Sequence, residues 1–126
     1  MQHNNWTSAK LQSFRETSDV HIAPLRADGS THGTPTRIWA VVADNEVYVR
    51  PASGPTSSWY TAAIAQAAGR ITVDATTFDV TFEAGDTDSY DAIDAAYVQK
   101  YDTDPTSVSV MVGPGPRSST VKVTRR

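Results

Sequence analysis

The 126-residue sequence predicts an α+β fold in which mainly antiparallel strands form a barrel with two or three helices at its ends. Three observations lead there. Short β-branched and aromatic runs follow one another across brief, turn-rich connections, most clearly at residues 36–43 and 46–52 around Asp44-Asn45. Residues 77–83 alternate, with Phe78, Val80 and Phe82 on one side and Thr77, Asp79, Thr81 and Glu83 on the other. Helical spacing is confined to a few segments rather than recurring between every pair of strands, which argues against a doubly wound sheet.

Each element has a local reason. Thr7 is an N-cap candidate, with Trp6 before it and Leu11 where a hydrophobic staple would close. Leu11 and Phe14 then give a short amphipathic helix over residues 8–17. A strand follows with Val20, Ile22 and Pro24 or Leu25 apolar, before the turn-rich stretch 27–33. Asp44-Asn45 suits the positive φ values of a two-residue hairpin turn. Thr56-Ser57-Ser58 caps an alanine-rich helix over residues 59–68, with Gly69 as its left-handed C-terminal stop. Short strands are expected at 70–74 and 77–83. Asp86 or Asp88 caps a helix reaching about Tyr101, whose stripe Tyr90, Ile93, Tyr97 and Tyr101 packs on the barrel while Asp91 and Asp94 lie on the other side. Val108, Val110 and Val112, then Val121 and Val123 beyond Gly113-Pro114-Gly115-Pro116, alternate as a terminal hairpin. The whole chain, 1–126, reads as a single domain.

Charge and composition exclude several functions. The formal charge of −3 is uneven: residues 1–73 carry six basic and five acidic groups, residues 74–104 one and nine, and residues 105–126 four and none. No global basic footprint exists, so nucleic acid is disfavoured as a partner. Without cysteine there is no disulfide, thiolate nucleophile or sulfur-ligated metal. The first twenty residues are polar, and the longest apolar run, residues 38–43, is far too short for a bilayer, so the expectation is a cytoplasmic protein without a membrane partner. His3, His21 and His32 are too dispersed to suggest a metal site. The 86–91 segment lacks the glycine and glutamate of a calcium loop, and Gly113 to Arg117 lacks the Lys-Ser/Thr ending of a phosphate loop.

The central hairpin carries the candidate chemistry. A two-residue turn sets Ala43 opposite Glu46, Val41 opposite Tyr48, Trp39 opposite Arg50 and Arg37 opposite Ala52. One face is then apolar throughout (Ile38, Ala40, Val42, Val47, Val49) and suits a barrel interior. The other shows Arg37, Trp39, Val41, Tyr48 and Arg50. Continued into Ser53, Gly54 and the helix start at Ser57, it groups guanidinium donors, hydroxyls and backbone N–H groups where a phosphate could sit. On the residues alone, a solvent or dimer face on which Arg50 stacks on Trp39 is the simpler expectation.

The runs 36–44, 47–54 (Val47-Tyr48-Val49-Arg50-Pro51-Ala52-Ser53-Gly54) and Trp59-Tyr60, followed by a helix closing at Gly69, resemble the FMN-binding split-barrel superfamily. The pattern is similar to a family of small uncharacterised bacterial proteins that also shares Asp94-Ala95-Ala96-Tyr97 to Lys100-Tyr101. The middle third resembles the deazaflavin-dependent nitroreductases, and the superfamily includes the pyridoxamine-phosphate oxidases. The resemblance implies a six-stranded split β-barrel and a homodimer that binds FMN or a deazaflavin. Arg37 and Arg50 would hold phosphate, Ser53, Gly54 and Ser57 would supply loop donors, and Trp39, Trp59 and Tyr60 would wall the ring. It also implies a flavin-type oxidoreductase in which the cofactor carries the hydride and no side chain need act as acid or base. Where pyridoxamine-phosphate-oxidase-like members place a lysine or arginine before the helix, Pro55-Thr56-Ser57-Ser58 offers only hydroxyls. That departure suits the alternative, a non-catalytic module binding another anionic or planar ligand such as haem or a nucleotide.

Overall fold

The computed structural model describes residues 6–126. Its strands are β1 (Val20–Pro24), β2 (Thr36–Ile38), β3 (Ala40–Ala43), β4 (Glu46–Val49), β5 (Ala68–Val73), β6 (Thr76–Ala84) and β7 (Val121–Arg125). The helices are α1 (Ser8–Glu16), α2 (Ser58–Gln66), α3 (Tyr90–Lys100), α4 (Pro105–Met111) and α5 (Pro114–Ser118), with single 3-10 turns at Gly54–Thr56 and Thr87–Ser89. One antiparallel sheet runs in the order β2-β1-β5-β6-β7-β4-β3. Its two edge strands are consecutive in the chain and separated by Trp39 alone, so the sheet curls round into a nearly closed barrel.

The α+β class with an antiparallel barrel stands, but the strand and helix counts change. The structure has seven strands where the resemblance implied six: the run 36–43 breaks at Trp39 into two strands, its first half pairing with β1 and its second with β4, while the strand expected at 108–112 is absent. Five helices replace two or three because the expected strand at 108–112 is helical. Asp104 caps α4 by accepting from the Ser107 N–H, and Pro105 occupies a first-turn position where its missing N–H costs nothing. Val108 and Met111, three residues apart, are buried, whereas Val110 is 47 % exposed. The valine alternation is therefore incidental, and Gly113-Pro114 opens α5 rather than turning a hairpin.

Other local expectations fare unevenly. Thr7 caps α1, and the Asp44-Asn45 turn has φ values of 53° and 62°. Helix α2 instead ends at Ala67, which takes the left-handed conformation with φ 58°, and Gly69 lies within β5. What Gly69 provides is space: a Cβ there would lie 2.6 Å from both the Ala23 carbonyl oxygen and the Pro24 Cα.

Side-chain alternation divides the apolar residues into two cores. Inside the barrel, Ile22, Ile38, Ala40, Val47, Val49, Ile71, Val80, Phe82, Val121 and Val123 pack together. Leu11 and Phe14 of α1 join them, with Trp6 edge-on to Phe14 and Phe78 and donating from Nε1 to the Val123 carbonyl at 3.0 Å. Outside, Val41, Ala43 and Tyr48 of the β3–β4 hairpin pack beneath Ile93, Tyr97, Tyr101, Val108 and Met111. The hairpin face expected to be open is thus covered by α3 and α4.

Helix α3 fastens the strand break. Trp39 stacks on Tyr101 with ring centroids 3.9 Å apart, and the Tyr97 hydroxyl donates to the Trp39 carbonyl at 2.8 Å. Tyr101 donates to the Ala40 carbonyl at 3.3 Å, and Lys100 Nζ donates to the carbonyls of Ala40 and Phe14. Burial pushes both phenols far above their ordinary range, so they remain donors. The same burial lowers Lys100 to about 8.

Gly69→Ala should cost about 3 kcal/mol or more in urea unfolding, because backbone rather than a flexible side chain blocks the added methyl. For Lys100 the folded state disfavours the proton, so below about pH 8 the full penalty is present. Between about pH 8 and the unfolded value of 10.5 the unfolded chain binds more protons, and stability contributed by this group rises with pH. The Lys100 contribution, read as the difference in urea stability between the unsubstituted protein and Lys100→Met, should rise by roughly 1–3 kcal/mol across that window, against the fall that the raised Tyr97 and Tyr101 phenols contribute as pH approaches 10.

Candidate functional site

The β3–β4 ladder keeps the expected register from Ala43/Glu46 to Ala40/Val49 and then stops. The further pairs Trp39/Arg50 and Arg37/Ala52 do not form, because Arg37 pairs with His21 of β1 instead. As the two strands part, a cleft of about 570 Å³ opens between them. One wall is Thr36, Arg37, Ile38 and Trp39, and the other is Arg50, Ala52 and Ser53. Ser57 and Trp59 from the start of α2 and Ser107, Val110 and Met111 of α4 complete it. Its size and its mixture of apolar walls and few polar groups suit a small-molecule site.

Six of the eight candidate residues, Arg37, Trp39, Arg50, Ser53, Ser57 and Trp59, line this one cleft. Gly54 and Tyr60 lie outside its lining. Gly54 sits at φ 71° against Gly115, which seats the 53–57 loop on α5, and Tyr60 packs on the barrel core with its ring edge-on to Trp59. The Ser57 side chain accepts from the Tyr60 N–H as the α2 N-cap. Trp39 has one ring face taken by Tyr101 and borders the cleft with the rest of its surface.

The two arginines differ in kind. Arg37 is exposed on β2 and has no ion-pair partner among the described residues. Arg50 is 1 % exposed. It donates through Nε to Thr120 Oγ1 at 2.9 Å and through Nη1 to Asp94 Oδ1 at 2.6 Å and the Met111 carbonyl at 3.1 Å. Nη2 reaches the Tyr90 carbonyl at 3.4 Å. The rings of Tyr97 and Tyr90 flank the guanidinium. Asp94 does not face away as its spacing suggested: its second oxygen accepts from Arg117 Nε at 2.9 Å, and Arg117 also reaches Asp91 at 2.7 Å. The hydrogen bond to Asp94, with the nearby carboxylate charges, holds Arg117 above its ordinary range. Two guanidiniums and two carboxylates balance in this cluster, so Arg50 anchors the cleft floor while Arg37 carries the cation available at its mouth.

Sequence reasoning missed Ser107, Val110 and Met111 because it read 105–112 as strand; the Asp104-Pro105 cap was the available signal. Among the described residues no cluster of metal-ligating side chains occurs. His21 pairs with Asp19 at 3.5 Å, His32 bridges Leu25, and His3 lies outside the described residues. No carboxylate, histidine or lysine lines the cleft among the described residues, so its own side chains offer binding and orientation rather than general acid–base chemistry.

Removing the buried guanidinium leaves Asp94 with Arg117 as its one cation and takes the donors from Thr120 Oγ1 and the Met111 carbonyl. Arg50→Met is expected to cost on the order of 3 kcal/mol in thermal or urea unfolding, and Arg50→Lys to recover only part of that because lysine cannot reproduce the fork.

The fold is similar to that in a crystal structure of conserved hypothetical protein Rv2991 from Mycobacterium tuberculosis, with a TM-score of 0.64 and 15 % identity over 100 % of this chain and 87 % of that one. No curated protein gives a significant sequence match. Among the described residues no helix is long and apolar enough to cross a membrane. A family model described as "Uncharacterized protein conserved in bacteria (DUF2255)" matches residues 10–123, and the chain belongs to that family.

Proposed function

We propose that the cleft binds a planar, phosphate-bearing small molecule of the FMN or deazaflavin type, as in the split-barrel superfamily that the hairpin motifs resemble. The observation that carries this reading is the parted hairpin itself. It sets Arg37, a guanidinium with no ion-pair partner among the described residues, and the hydroxyls of Thr36, Ser53, Ser57 and Ser107 around a cavity bordered by two indoles, Trp39 and Trp59. Hydroxyls and a guanidinium suit a phosphate, and indole surfaces suit a fused aromatic ring. The fit is incomplete at Arg50, whose donors are engaged by protein acceptors. When bound, such a group would supply hydride chemistry that none of the lining side chains provides.

In this reading Arg37 pairs with the phosphate, Trp39 and Trp59 orient the ring and exclude water, and the Arg50 cluster keeps the floor rigid. A homodimer belongs to the same proposal, with a second copy meeting the open side of the cleft where Val110 is exposed. The hydroxyl-only loop Pro55-Thr56-Ser57-Ser58 and the engagement of Arg50 by protein acceptors favour a second reading, a non-catalytic binder of a planar anion such as haem or a nucleotide.

The test is titration with FMN and with a deazaflavin, followed by thermal shift and tryptophan fluorescence. Saturable binding is expected, weakened roughly 10- to 100-fold by Arg37→Ala with little change in the melting temperature of the free protein. Absence of any shift or quenching with either flavin overturns the cofactor assignment. Binding without reduction of the bound flavin by nicotinamide nucleotides favours the non-catalytic binder, and a monomer in sedimentation removes the dimer.

A further inference from the structure

A second cleft of about 430 Å³ lies between α1, β3 and α3, lined by Arg15, Val41, Val42, Ala96, Gln99 and Lys100. Lys100 is half-buried there, and Nζ donates to the carbonyls of Phe14 and Ala40. No carboxylate pairs with it among the described residues. These carbonyls take two of its N–H groups, and Nζ also lies 5.0 Å from the centroid of the Tyr101 ring. Desolvation lowers this lysine to about 8, so an appreciable fraction is neutral near physiological pH.

The two other lysines of the chain sit differently. Lys122 lies between Glu46 and Glu83, at 3.8 and 3.4 Å, which favour its ammonium form. Lys10 on α1 shares with Lys100 a ring contact, its Nζ lying 5.4 Å from the centroid of Phe78, but it does not line the second cleft. At the rim of the second cleft Arg15 is exposed and has no ion-pair partner among the described residues, so it is available to an anion.

We propose that Lys100 captures small anionic carbonyl compounds as a Schiff base in this second cleft, with Arg15 pairing with their carboxylate or phosphate. The site is independent of the flavin reading. The Nζ lone pair forms the bond to the carbonyl carbon while the C–O π pair moves to oxygen. The resulting carbinolamine expels that oxygen as water, which carries away the two amine hydrogens and leaves C=N. No oxidant or reductant is consumed. Once protonated, the imine keeps one N–H for the Phe14 or Ala40 carbonyl.

Pyridoxal 5′-phosphate, an anionic aldehyde, is the probe. The intact protein is incubated with it at neutral pH, reduced with borohydride and mapped by peptide mass spectrometry. Lys100 should be labelled about tenfold or more above Lys10 and Lys122, and excess glyoxylate should suppress that labelling. Arg15→Ala, a change on an exposed surface, should reduce Lys100 labelling roughly three- to fivefold, whereas labelling by pyridoxal, which lacks the phosphate, should not depend on Arg15. Equal labelling of the three lysines, or dominant labelling of Lys10, would show Lys100 to be a structural clamp and overturn the proposal. Undiminished phosphate-dependent labelling in Arg15→Ala would overturn the anion-pairing part.

Discussion

The arrangement of the outer layer depends on one buried cation. Arg50 leaves the end of β4 at the point where the ladder stops, and in water its guanidinium would have no reason to enter the protein. It is buried because each neighbouring element supplies an acceptor: Asp94 and the Tyr90 carbonyl from α3, the Met111 carbonyl from α4, and Thr120 from the residue before β7. Desolvating such a charge costs several kcal/mol unless it is paired and its donors are filled. The cost acts as a constraint, since α3, α4 and the β7 entry must all be in place for the charge to be tolerated. Arg117 extends the same cluster to the surface and keeps it neutral.

That constraint also explains why a cleft exists. A hairpin with complementary faces would normally zip to its ends. Here Arg50 is drawn outward into the helical layer while Arg37 is drawn the other way into the ladder with His21. The strands part between these two pulls, and Trp39, held by the Tyr97 hydroxyl and the Tyr101 ring, marks the point of separation. The resulting cavity has the buried, fully engaged Arg50 on one strand and the exposed Arg37 on the other.

Much of the barrel was legible from residues. The β3–β4 turn, its register, the inward set of β6 and the tyrosine stripe of α3 all arise from short-range periodicity, which one sequence displays directly. The failures share a cause. Val108, Val110 and Val112 have strand spacing, yet a proline after a capping aspartate and the burial of Met111 decide for helix, and that burial is a tertiary fact. The role of Arg50 was equally hidden. An arginine on an aromatic hairpin looks like an anion donor until Asp94 arrives from 44 residues away. Breaking the 36–43 run at Trp39 needs knowledge of both neighbouring strands, which no local window contains.

The left-handed alanines give the molecule an unspent reserve of stability. Ala67 ends α2 at φ 58°, and Ala75 completes the turn between β5 and β6 at φ 66°. Both occupy a conformation that costs a residue bearing Cβ about 1–2 kcal/mol and glycine far less, although glycine gives part of that back in the unfolded chain. Neither alanine lines either cleft. A doubly glycine-substituted chain would therefore be a sturdier parent, by about 0.5–1 kcal/mol at each position, on which changes to the Arg50 cluster could be made without losing the folded state.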